Sequence, residues 1–197
     1  MIKTYNSKFG KDVITVHPGE YWIDDHNIIY TLLGTCVAVV LYSESHRVGG
    51  MNHYLLPGPM SSVNAMKQES ARYGINAMEL LINGFLKRGI EKKELKAKIF
   101  GGGKILKVIP GKEKLQHVGE KNIEFVRFFL AEEKIPIVAS DVGGTGGRKI
   151  FLFPETGKVL LSRIKVRASL INMETKFKEE ISVEKQGGDI ILFNNDE

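Results

Sequence analysis

A single cysteine among 197 residues rules out an intramolecular disulfide and any metal site built on several thiolates. Long apolar runs are missing too, and none approaches the ~20 residues needed to cross a bilayer. The opening stretch, MIKTYNSKFGKDVITV, lacks an uninterrupted apolar core followed by a small-residue cleavage site, so no secretory signal is read there. These absences lead us to expect a reducing, cytoplasmic setting without membrane insertion. One-sided charge is also lacking: 28 Lys and Arg against 23 Asp and Glu leave a net +5. The densest basic stretch, KRGIEKKELKAK from Lys87 to Lys98, is interrupted by Glu91 and Glu94. Nucleic-acid binders gather their cations on one face or stripe, so no nucleic-acid partner is expected, whereas acidic protein partners are compatible.

What is present is an ordinary globular composition, 43% hydrophobic and 26% charged, enough to bury a real core. VITVHPGEYWI (Val13 to Ile23) reads as an opening strand interrupted by a Pro-Gly turn. IIYTLLGTCVAVVLY (Ile28 to Tyr42) is the longest apolar stretch, and its Val-rich half from Val37 reads as a fully buried strand. SESHR is turn-like, and Val48 to Leu56 returns as a strand ended by Pro57-Gly58-Pro59. Ile75, Met78, Leu81, Ile82, Phe85 and Leu86 fall at helical spacing and predict a helix over Ser70 to Lys87, capped by Gly89. A second helix is predicted over Glu120 to Lys134, with Ile123, Val126, Phe129 and Leu130 on its apolar face. AKIF (Ala97 to Phe100) and IPIVAS (Ile135 to Ser140) read as strands, and KIFLF with KVLLSRI as a hairpin around Pro154-Glu155-Thr156-Gly157. The whole is an α/β chain with several hairpins rather than alternating βαβ units. From about residue 166 the composition shifts to a charged tail ending in an apolar patch, DIILF (Asp189 to Phe193). That patch is expected to add an edge strand or to engage a partner.

Cys36 and His53 are where the sequence is most informative. A hairpin turn centred between Glu44 and Ser45 places them directly opposite on neighbouring strands, where Cβ atoms lie ~5 Å apart. Moving the centre onto Ser45 itself puts them on opposite faces, and SESHR does not choose between the two. A nearby imidazolium would stabilise the Cys36 thiolate for attack on an amide carbon and would protonate the departing ammonia. Gly34 leaves room for a substrate, and backbone N–H groups beside it suit an oxyanion. The bland alternative is a small buried hydrophobe.

LGTCVAVVLY (Leu33 to Tyr42) followed by VGGMNHYLLPG (Val48 to Gly58) resembles the signature of the chemoreceptor glutamine deamidase (CheD) family. ARYGINAMELLI, KIFGGG, VGEKN and SDVGGTGGRKIFLFPETG resemble further family blocks in the same order, over roughly residues 13 to 165. The resemblance implies a cytosolic enzyme of bacterial chemotaxis that converts selected glutamines of methyl-accepting receptors to glutamate. It implies a single-domain sandwich of mixed or antiparallel sheet with helices over residues 1–165, related to the deamidating domain of cytotoxic necrotizing factor toxins. Cys36 and His53 take the catalytic roles, with Thr31 as the third residue and Thr35 as its competitor. Thr35 stands where a serine is the family's usual residue. A CheC-type phosphatase is an implied partner of some members, and an adaptor whose chemistry is secondary is the competing reading. Nothing resembles a papain-type peptidase.

The glycine clusters 101–103 and 143–147 miss the P-loop and dinucleotide patterns, so they are read as tight turns near the cleft. Asp141 and Arg148 are read as a salt bridge or as cleft residues. His17, His26, His46 and His117 share no ligand-like spacing, so neither metal nor cofactor is expected.

Overall fold

A computed structural model describes residues 2–55, 69–104 and 118–164, with residues 69–72 as backbone only. The segment after Tyr54-Leu55 with its Pro-Gly-Pro, His117 and the charged tail lie outside the described residues. Among the described residues ten strands form two five-stranded sheets, and two α-helices cover one face of the second.

The strands are β1 (Ile2–Asn6), β2 (Lys11–Thr15), β3 (Tyr21–Asp24), β4 (Ile28–Leu33), β5 (Val37–Ser43), β6 (Val48–Tyr54), β7 (Lys96–Gly101), β8 (Ile137–Val142), β9 (Gly147–Phe153) and β10 (Lys158–Ile164). The first sheet has the order β1-β2-β4-β9-β10 and the second β3-β6-β5-β7-β8. Both are mixed: β2 runs parallel to β4, and β7 to β8. The opening strand of the sequence reading is thus two strands in different sheets. The long apolar stretch is likewise two strands, β4 and β5, one in each sheet, joined by a corner at Gly34–Cys36.

β5 is buried along its whole length because it is the central strand of a sheet covered on both faces. Such a strand cannot alternate apolar with polar residues. Val37, Val39 and Leu41 face helix α1 (Glu69–Leu86) and helix α2 (Val118–Glu132), packing with Met78, Leu81, Phe85, Phe125, Val126 and Phe129. Cys36, Ala38, Val40 and Tyr42 face the first sheet, with Ile29, Leu33, Ile150 and Leu152. Each fully buried Leu or Phe side chain contributes roughly 2–3 kcal/mol, so the two layers together hold the corner in place.

Both helices end in the same way. In α1, Gly89 adopts φ +78 and its N–H bonds to Leu86 O, while Ile90 N–H bonds to Phe85 O. In α2, Lys134 takes the left-handed position at φ 57, with Lys134 N–H to Ala131 O and Ile135 N–H to Leu130 O. These paired bonds satisfy the last helical carbonyls. They also stop α2 two residues before the expected Lys134, and strand β8 starts only after Ile135 and Pro136.

Candidate active site

The β5–β6 hairpin uses a four-residue loop, Glu44–Arg47. Ser43 pairs with Val48 and Ala38 with His53. Its centre falls between Ser45 and His46, one residue beyond the expected turn. The physical cause lies in the loop: SESHR offers no Asn-Gly pair for a two-residue turn, and Arg47 instead closes a longer one at φ 55. Cys36 and His53 are therefore not direct partners. Cys36 stands one residue before β5, diagonal to His53 on the same face of the second sheet, and diagonal positions of a ladder lie ~7–8 Å apart.

The residues around that diagonal are withdrawn from water. Thr31 and Cys36 are fully buried, and His53 and Thr35 are 1% exposed. Thr31, on β4 of the first sheet, meets His53, on β6 of the second, through Oγ1 to Nδ1 at 2.8 Å. The Thr31 hydroxyl donates its only proton to Val16 O, at 2.7 Å. Its oxygen can then only accept, so Nδ1 carries the imidazole proton and Nε2 carries the lone pair. Nε2 is the one buried side-chain nitrogen or oxygen without a hydrogen-bond partner among the described residues. The Thr35 carbonyl accepts from Asn122 Nδ2 at 3.0 Å.

The segment between β2 and β3 clamps the histidine backbone as well. His53 N–H bonds to Glu20 O, and Gly19 N–H to His53 O. The Glu20 carboxylate accepts from His17 N–H at 2.9 Å, closing the turn.

Burial drives the His53 pKa down to about 3, and the neighbouring His17 adds to the fall, against smaller upward pulls from the Val16 carbonyl and Glu20. The imidazole is neutral at rest, which corrects the resting imidazolium–thiolate pair of the sequence reading: a charged ring in this dry layer is too costly. The linkage has a definite sign. Between its ordinary value of 6.5 and about 3, His53 binds a proton unfolded but not folded, so acidification across that window destabilises the fold. His53→Asn should lose less stability than the parent between pH 7 and pH 4 in denaturant titrations. Parallel losses would show that His53 is protonated without cost in the folded state.

The glycine run 101–103 packs against the corner. Gly102 N–H bonds to Cys36 O and Gly103 N–H to Gly34 O, both at 2.7 Å. A β-carbon on Gly101, whose φ is +105, would sit 2.2 Å from Cys36 O. The second cluster adjoins the first, with Gly143 N–H to Gly101 O and Lys104 N–H to Gly144 O. Arg148, 1% exposed, pairs with Asp141 at 2.7 Å and donates to Gly143 O and Gly146 O. Asp141 and Arg148 thus form a salt bridge that ties this loop down. Among the described residues no group of three or more His, Cys, Asp or Glu side chains is placed to hold a metal ion, and no helix is long and apolar enough to cross a membrane.

Sequence reasoning missed the Val16 carbonyl and Asn122. The first has no side-chain signal at all. The second had one: Asn122 is a polar residue in the buried series Val118, Asn122, Phe125, Val126, Phe129 of α2.

A protein of Shewanella oneidensis, named as a probable chemoreceptor glutamine deamidase CheD 1, is 42% identical over 192 residues, 96% of this chain and 91% of its own. One from Methylobacillus flagellatus with the corresponding name is 39% identical, over 97% and 92% of the two chains. Among solved structures, the hypothetical protein YfiH of Bacillus licheniformis aligns at a TM-score of 0.39 and 13% identity over 64% of this chain and 50% of that one, too weak a likeness to carry an argument. The family model for CheD chemotactic sensory transduction matches residues 55–163, beginning just past His53. With more than half the chain matched by that model and relatives aligned through the Cys36–His53 region, the chain belongs to the CheD family.

Proposed function

We propose that this protein is a cytoplasmic deamidase that hydrolyses glutamine side chains of methyl-accepting chemoreceptors to glutamate, with Cys36 as nucleophile, His53 as base and Thr31 as the group that orients it. One observation carries the mechanism. The Nδ1–H of His53 is held by a threonine oxygen whose own proton is engaged elsewhere, and Nε2 is unpartnered on the face that Cys36 shares.

The chemistry follows from a neutral pair. As the Cys36 sulfur attacks the side-chain amide carbon, its proton passes to His53 Nε2, and the C=O π electrons move onto the carbonyl oxygen to give a tetrahedral oxyanion. The imidazolium then returns that proton to the leaving nitrogen, the C–N bond breaks and ammonia departs. A thioester remains. Water, deprotonated by Nε2, attacks its carbonyl carbon, and the C–S bond breaks to give glutamate and the free thiol. Burial makes the charged ring costly, so the imidazolium exists only while the developing charge on sulfur and oxygen is beside it.

The names of the relatives support the receptor substrate. The CheC-type partner and a kinship with the necrotizing-factor deamidating domain belong to the same reading, the latter supported by the two-sheet sandwich.

The test is direct. Purified protein incubated with receptor cytoplasmic fragments should convert particular glutamines to glutamate, seen as +1 Da shifts in peptide mass spectra (roughly, the mass of OH replacing NH₂). Fragments left unchanged, with glutamines solvent-accessible and the protein folded, would defeat the proposal.

A further inference from the structure

We infer that Asn122 is a positioning residue for the nucleophile, acting from helix α2 through the peptide that precedes Cys36. The inference rests on the proposed role of Cys36.

Three successive carbonyls of the corner are each taken by a donor from another part of the chain. Gly34 O accepts from Gly103 N–H, Thr35 O from Asn122 Nδ2, and Cys36 O from Gly102 N–H. Two of these donors are backbone groups of the glycine run, which any sequence able to make the turn supplies. The middle donor is a side chain, 0% exposed, at a helical position otherwise given to apolar residues.

Burying an amide there costs about 1–3 kcal/mol unless its bonds are made. An apolar residue in its place would fill the layer without that cost, so stability alone does not favour the asparagine. Its distinctive property is direction. A planar trans peptide has no internal freedom, so fixing Thr35 O fixes the whole Thr35–Cys36 unit. Cys36 N and Cα are then placed by α2, and with Cys36 O held by Gly102 N–H the Cα–Cβ bond is restrained from both sides.

The asparagine is itself held. Its backbone carbonyl accepts from Tyr54 Oη at 2.8 Å, and Tyr54 is buried on β6, adjacent in sequence to His53. Thus β6 carries the base on one face of the second sheet and, through Tyr54 on the other, steadies the residue that aims the nucleophile. The consequence is a registry between Cys36 and His53 set across the thickness of the sheet and not by the hairpin alone, which leaves them only diagonal.

The test uses Asn122→Asp, which preserves shape but removes the NH₂ donor, and Asn122→Ala. Val126→Ala, one turn further along the same buried face, serves as a control for loosened packing. On receptor fragments both Asn122 variants should lose roughly 10- to 100-fold in kcat, since small misplacements of a reacting group cost that much. KM should stay within about twofold, and Val126→Ala should keep near-parental kcat below its melting temperature. Asn122 variants with kcat within about threefold of the parent, or with KM alone affected, would overturn the inference. So would an equal kcat loss in Val126→Ala, or failure of both Asn122 variants to fold, either of which makes the residue an element of packing. If Cys36→Ala were active in the same assay, the reading of Cys36 as nucleophile would fall instead; active Asn122 variants beside an inactive Cys36→Ala would sink this inference alone.

Discussion

Cys36→Ala should abolish glutamine conversion on receptor fragments, by roughly 10⁴-fold or more, while the far-ultraviolet spectrum and melting profile stay close to the parent. The thiol is a small buried group, and its loss leaves only a small cavity. Chemistry without it has no covalent route. His53→Ala should be nearly as severe, because no other base reaches the same position: Nε2 is the lone buried acceptor of the layer without a partner among the described residues. Thr31→Val should fall between these and the parent, by roughly 10- to 100-fold. That variant keeps the shape but removes the oxygen that holds Nδ1–H, so the ring can turn or change tautomer. It also removes the hydroxyl that bonds both Val16 O and Nδ1, at about 1–3 kcal/mol. Thr35→Ala should do less, since its link to Asn122 runs through the main chain. Folded Cys36→Ala or His53→Ala retaining near-parental conversion would remove the thiol mechanism. Thr35→Ala costing more than Thr31→Val would reverse the assignment of the two threonines.

Gly101→Ala should be severely damaging. Its β-carbon would fall 2.2 Å from Cys36 O and 3.2 Å from Val37 Cα, so backbone and not a flexible side chain stands in the way. The residue's φ of +105 is unfavourable for any L side chain. Relief requires the end of β7 to part from the start of β5, breaking the Val37–Gly101 pairing and the Gly102 bond to Cys36 O. The expected loss is roughly 3 kcal/mol or more, together with most of the turnover. Gly143→Ala provides the contrast. Its φ is +75, but nothing lies within 4 Å of the added carbon, so only about 1–2 kcal/mol of conformational strain is expected. Denaturant midpoints for the two variants would check this, and similar losses in both would mean that the close approach at Gly101 carries no weight.

These two cases mark what was legible in the sequence. Val37 to Tyr42 announced a buried central strand because every position is apolar, and Ile75 to Leu86 announced a helix by spacing. Cys36 and His53 stood out through their chemistry and the blocks around them, and Thr31 through the resemblance. Strand β1 did not, because its first four residues are exposed and carry no pattern of burial. The hairpin register was missed by two positions because SESHR specifies no tight turn, yet a shift of two keeps side chains on the same face. That is why Cys36 and His53 still share a layer. The neutral state of His53 was beyond reach, since it depends on the first sheet lying over the second. Asn122 is the same kind of case: its partner, the Thr35 carbonyl, is 87 residues away.

The corner at Gly34–Cys36 is also where the chain passes from one sheet to the other, and the groups proposed to react divide along that line. Val16 and Thr31 belong to the first sheet's side; Cys36 and His53 belong to the second. Neither layer alone contains all of these groups, and no hairpin excised from the protein would. On the proposed mechanism competence is a collective property of two docked surfaces: separating them by an ångström is expected to silence turnover while leaving every strand intact.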